Sequence, residues 1–249
     1  MKLAGLTLAL VLLTGTVAFG QAESTTPMMK VNPSYAEMGT VFRVDDPAGR
    51  NTITFKSEAP LEDIIGTTNA ISGYLVFDPA NPTKGGRGEL SVPVASLNTG
   101  IPMRDEHLQG EPWFNAAQYP DITFNITDVR NVKNIKSTDE FQTYEMTAVG
   151  QFTMRGTTRS VEAPGRITYM KESDKTRARL PGDLLAARAS FRLALADFGI
   201  TDPEGMAIIG SKVGETVSVD VSIVAGSEKV MAGSTESSPK SQSGSSGGM

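Results

Sequence analysis

The stretch Thr216-Val217-Ser218-Val219-Asp220-Val221-Ser222-Ile223 carries an apolar side chain at every second position and a polar one between. Successive side chains of a strand point to opposite faces, so this period predicts a strand with one apolar and one wet face. The same period recurs upstream in Ala189, Phe191, Leu193 and Leu195, and in Val161, Ala163, Gly165, Ile167 and Tyr169. Tyr144, Met146, Ala148, Gly150, Phe152 and Met154 hold it over a longer run. Ile122, Phe124 and Ile126 repeat it, as do Leu90, Val92 and Val94. Turn chemistry separates these segments at Asp78-Pro79, Asn81-Pro82, Gly85-Gly86, Arg155-Gly156 and Pro181-Gly182. Gly156 is expected to be a hairpin residue with positive φ. Several of the predicted strands run to about ten residues or more, longer than a small sandwich needs. Long strands linked by hairpins close into an antiparallel barrel, which leaves no edge exposed. With about eight strands, its interior accommodates side chains and one small ligand.

One segment breaks the period. Met103-Arg104-Asp105-Glu106-His107-Leu108 is charged and compatible with a helix, and Gly110 and Pro112 interrupt it. A short helix crossing one barrel end is expected there.

The ends of the chain read differently. Lys2 precedes an apolar run from Leu3 to Leu13, and the small residues Ala18 and Gly20 follow. This is the pattern of a secretory signal peptide over 1–22, which places the mature protein in the periplasm or outside the cell. The run is shorter than the about 20 residues that a bilayer span requires, and no later segment is long and apolar enough. Residues 23–38 read as a flexible lead and 39–225 as the barrel. Residues 226–249, rich in serine and glycine, cannot bury enough apolar surface to offset their ordering entropy and are expected to be disordered.

Composition removes whole classes of function. The chain of 249 residues has no cysteine, which excludes disulfides, thiolate metal sites and a cysteine nucleophile. A net charge of −5 without a basic cluster argues against nucleic acid as a partner. His107 is the one histidine, no Gly-x-Ser-x-Gly elbow is present, and no glycine loop opens a helix as a phosphate cradle. The expectation is a protein that is not an enzyme and uses no cofactor. For His107 the ordinary role is surface or capping, and the sharper one is a polar contact at the barrel mouth. Arg104 and Asp105 are expected to pair with helix neighbours or nearby loops, the alternative being a grip on a ligand headgroup. Trp113, Phe114 and Tyr119 either plug one barrel end or line its entrance.

Taken together, Val94-Ala95-Ser96-Leu97-Asn98-Thr99-Gly100 and Met103-Arg104-Asp105-Glu106-His107-Leu108 resemble the signature of the YceI-like, polyisoprenoid-binding family. Trp113-Phe114-Asn115-Ala116, Gln118-Tyr119-Pro120-Asp121-Ile122-Thr123-Phe124 and Val149 through Arg159 continue the likeness, and Asp197-Phe198-Gly199-Ile200 ends it. The resemblance spans about Val41 to Ala225. It implies an extended lipocalin-like barrel with a central apolar tunnel that takes a long isoprenoid. Members often carry Arg two residues before Asp-Phe-Gly; here that position is Leu195.

Parity along the strands then supplies candidate ligand contacts: Val76, Val92, Phe124, Tyr144, Phe152, Phe191 and Leu193. The helix region adds Arg104, His107, Trp113 and Phe114. The expected partner is a polyisoprenoid or similar long-chain lipid, a quinone or a prenyl phosphate among them. The oligomeric state is open, a dimer included. Inward parity looks the same for a tunnel and for a core filled by side chains. The rival expectation is therefore an interaction or structural barrel that binds its partner on the outer surface.

Overall fold

The computed structural model describes residues 28–58, 62–201 and 214–227. The expected signal peptide, and the tail from 228 onward, lie outside them. A helical turn α1 (Pro33–Ala36) precedes β1 (Thr40–Val44), β2 (Thr52–Glu58), β3 (Asp63–Thr68), β4 (Ser72–Phe77) and β5 (Arg87–Pro93). Helix α2 (Pro102–Gln109) leads to the long strands β6 (Asp121–Ser137), β7 (Phe141–Met154) and β8 (Thr157–Met170). A second turn α3 (Asp174–Arg177) separates these from β9 (Leu184–Ala194) and β10 (Thr216–Ser227).

All pairings among these strands are antiparallel. The order β1-β4-β5-β6-β7-β8-β9-β10 closes on itself through a β1–β10 pairing, so eight strands form a ring and β2–β3 extends it beyond β10. Strand β10 pairs along its length with β9, from Val217 to Ser222 with β2, and through Gly226 and Ser227 with β1. The last strand thus reaches Ser227, past the expected boundary at 225, because Arg43 and Phe42 pair with its end. Strands β8 and β9 are joined only between Gly165–Met170 and Leu184–Ala189.

The period-two segments fold as expected, with two trimmed ends. Val94 and Leu195 each begin a 3-10 turn, Val94–Ser96 and Leu195–Phe198, instead of lengthening a strand. Arg155 and Gly156 both take positive φ, 50° and 70°, in the two-residue turn joining β7 to β8. Such a turn matches the right-handed twist of its strands. A Cβ at Gly156 would lie 2.5 Å from the Tyr119 ring, so glycine also lets that ring close over the turn.

Strand β4 gave no alternation because Gly73 to Phe77 are buried on both faces. The segment expected as a flexible lead accounts for part of this. Asn32 N–H donates to the Tyr74 hydroxyl at 3.1 Å, and the Tyr35 hydroxyl donates to Asn125 Oδ1 at 3.4 Å. The described part of that lead therefore lies against the barrel wall.

A buried carboxylate ties two connections together. Asp46 accepts from Arg50 Nε at 2.9 Å and from Ala48 N–H at 3.1 Å, and lies 3.2 Å from Arg179 Nη2. The Arg50 hydrogen bond leads in holding the Asp46 carboxyl down at about 2, from an ordinary 3.8. A folded pKa below the unfolded one stabilises the fold above about pH 4, and the gain is lost as pH falls through 2. Asp46→Asn is expected to cost about 1–2 kcal/mol at pH 7 and to flatten the fall in Tm between pH 4 and 2. Thermal melts of both proteins across that range check it.

Candidate functional site

Two packed clusters divide the interior. One, with Phe42, Val44, Leu75, Phe77, Leu185, Ile223 and Ala225, fills the end where β1 closes the ring. The other gathers Phe152, Met154, Leu193, Leu195, Phe198 and Ile200. Phe114, Ile122 and Phe124 pack against both.

Between these clusters and α2 lies a cavity of about 640 Å³. Its wall comes from alternate residues of facing strands: Ile53 and Phe55 of β2, Leu90 and Val92 of β5, Ile122 and Phe124 of β6, Phe152 of β7, Phe191 and Leu193 of β9, and Val217, Val219 and Val221 of β10. Glycines make room for the larger rings. A Cβ at Gly66 would lie 2.1 Å from the Phe55 ring, and one at Gly150 would lie 2.9 Å from the Phe124 ring. The Phe152 ring stands 6.1 Å from Phe124, 6.0 Å from Phe191 and 5.7 Å from Phe198, centroid to centroid.

Polar side chains on this wall are few and mostly engaged. Ser57 Oγ accepts Gly214 N–H at 2.8 Å, and the Thr68 and Ser96 hydroxyls bond at 2.7 Å. Glu62, Arg104 and His107 line the cavity where α2 crosses it. Arg104 Nη2 lies 3.6 Å from Glu62, the pairing with a nearby loop that the sequence suggested. Asp105 likewise takes both the Thr99 N–H, at 2.8 Å, and the Thr99 hydroxyl, at 2.7 Å. His107 is exposed, and its ring has no hydrogen bond or ion pair among the described residues. Nor do the described residues contain a group of three His, Asp or Glu placed to hold a metal ion.

The structure therefore brings most of the expected contacts to one place. Val92, Phe124, Phe152, Phe191 and Leu193 line the cavity from the strands, and Arg104, His107, Trp113 and Phe114 line it from α2 and the loop after it. Two expected residues lie elsewhere. Tyr144 has the right parity but the wrong depth: it is buried against Phe77, centroids 5.9 Å apart, in the packed end of the barrel. Val76 lines instead a smaller chamber of about 110 Å³ that follows the main cavity. Sequence reasoning missed Ile53 and Phe55, although Thr52-Ile53-Thr54-Phe55 alternates, and it left Val217 and Val219 out of the site. Leu195, the departure from the family pattern, is a buried part of the wall.

An antiparallel barrel closed at one end, with an apolar chamber at the other, is the architecture of a lipocalin-like barrel. The model of the YceI-like domain matches residues 42–225, and the chain belongs to that family. A UPF0312 protein of Photorhabdus laumondii is 28% identical over 121 residues, covering 48% of this chain and 57% of that protein. The chain thus spans little more than half that relative's length. A UPF0312 protein of Yersinia pestis is 26% identical over 144 residues, 58% of this chain and 67% of its own. BcnA of Burkholderia cenocepacia superposes with a TM-score of 0.55 at 20% identity, over 73% of this chain and 99% of its own. A polyisoprenoid binding domain from Saccharophagus degradans superposes at 0.51 with 14% identity, over 76% and 99%. At these identities the structural likeness is one of fold.

Phe152 is the side chain on which the second cluster converges. Phe152→Asp buries an unpaired charge there and is expected to destabilise the protein by about 3–5 kcal/mol. Urea unfolding measures the loss; a Phe152→Asp protein that keeps both its stability and its lipid binding would show that this face is not inward.

Proposed function

We propose that the protein is an exported carrier that holds a long apolar chain of the isoprenoid type in its barrel. The observation that carries this reading is the chamber of about 640 Å³, apolar along its walls, with ionisable side chains only beside α2. Transfer of each methylene from water into such a chamber contributes about 0.8 kcal/mol, so a flexible chain gains affinity without directional bonds. The name of the Saccharophagus neighbour, a polyisoprenoid binding domain, points the same way. Quinones and prenyl phosphates both fit this chemistry, the headgroup standing at the α2 end near Arg104 and His107. Export rests on the apolar run from Leu3 to Leu13, and an N-terminal sequence of the native protein beginning at Met1 would overturn it.

Trp113 is the single tryptophan of the chain and lines the chamber, so its emission reports what enters. Titration with prenyl alcohols is expected to shift that emission, with affinity rising with chain length until the space is full. His107→Ala is expected to cost at most about 1–1.5 kcal/mol, the scale of one net hydrogen bond. Affinity that is flat across chain lengths, or binding abolished by His107→Ala alone, would replace this reading with a filled barrel or a headgroup-specific site.

A further inference from the structure

The smaller chamber lies on the far side of an aromatic partition. Leu90, Phe124, Phe191 and Val221 line both the large chamber and the small one, and so form the wall the two share. The two rings stack across it, centroids 6.4 Å apart and planes 26° from parallel. Both remain only half-buried, because each faces cavity space. Beyond them, Ala148, Ala163, Ala187 and Ala189 leave open the volume of about 110 Å³. Phe124 is held in place from behind. Its ring sits over Gly150, where a Cβ would lie 2.9 Å from the ring and 2.3 Å from Asn125 O. The partition is thus built from strand side chains with little freedom to move, β6 on one side and β9 on the other.

We infer that Phe124 and Phe191 set the length of chain the protein accepts: the tail fills the large chamber and its end stops against the two rings. This rests on the apolar-chain reading above and adds to it a residue pair that selects among chains. While a chain is still entering, each isoprene unit buries several carbons and raises affinity about tenfold or more; once its end meets the rings, a further unit stays in water and adds nothing. Opening the partition should admit one unit more, and filling the small chamber should affect only a protein whose partition is open.

The experiment is a competition series of geraniol, farnesol, geranylgeraniol and longer polyprenols, read by Trp113 emission on four proteins. These are the wild type, Phe191→Ala, Ala187→Phe, and the double variant. Thermal melts establish that each is folded, and Phe191→Leu replaces Phe191→Ala if the latter is not. Wild type is expected to gain affinity up to one length and then level off. Phe191→Ala should move that length upward by one isoprene unit, with a gain of about tenfold for the longer chain. Ala187→Phe alone should leave the wild-type limit where it is, and should cancel the gain when combined with Phe191→Ala. A limit unmoved by Phe191→Ala, or shortened by Ala187→Phe alone, overturns the role of the rings while leaving the carrier intact. A wild type with no length dependence at all overturns both.

Discussion

A sheet must end somewhere, and each free edge leaves a row of backbone donors and acceptors unpaired. In this protein β10 is the strand that removes the problem. It pairs with β9 throughout, then divides its other side between β2 and β1. Its length is what makes this possible, since a strand ending at Val221 would reach β2 and leave β1 paired only with β4. The position of Gly182 follows from the same closure: a Cβ there would lie 2.7 Å from Ser227 O, so the turn before β9 can pass the end of β10 only as glycine with φ of 81°. Ser227 then accepts Asp183 N–H through its hydroxyl at 2.8 Å, and donates its own N–H to the Asp183 carbonyl at the same distance.

Because β10 changes partner along its length, the ring is not the same at its two ends. Where β1 closes it, the interior is narrow, and Phe42, Phe77, Tyr144 and Leu185 fill it. Where β2 and β3 take over, a bridge between Thr67 and Asn98 carries the wall onward to the segment after β5. More strands around the ring mean a larger diameter, and side chains of similar size no longer meet in the middle. The cavity is a geometric result of that substitution of two strands for one. Its strand walls are the Val, Leu, Ile and Phe that any strand would point inward, with Gly66 and Gly150 making room for two of the rings.

This explains which parts of the protein were legible in its sequence. Parity reports which face of a strand a residue occupies, and Phe124, Phe152, Phe191 and Leu193 all lie on the cavity wall. It says nothing about level along the barrel axis. Tyr144 shares its parity with Phe152 but sits where the ring is narrow, and so packs against Phe77 and lines neither chamber. Strand β4 was illegible for the opposite reason: Gly73 to Phe77 are all buried, with Tyr74 under the lead and Leu75 and Phe77 in the interior cluster, so no polar positions remain to mark a period. The link between Asp46 and Arg179 joins segments far apart in the chain, and neither residue carries a local pattern that names its partner. Helix α2 was legible as the one break in the period, whereas Trp113 and Phe114 were equally compatible with a plug and with an entrance; both line the cavity.

Helix α2 closes the wide end, and its sequence suits a cover more than a core. It buries none of its residues fully, and Arg104 and His107 line the cavity from it. What holds it is local and polar: Asp105 on Thr99, Arg104 near Glu62, and backbone bonds from Phe114 and Ala116 to its last turn. Exposed ion pairs of this kind contribute about 0–1 kcal/mol. Moving such a helix aside sacrifices little apolar burial, whereas opening the β1 end would disrupt a packed cluster and the β1–β10 ladder. The two ends therefore differ in energy, and the α2 end is the one that opens at the lower cost.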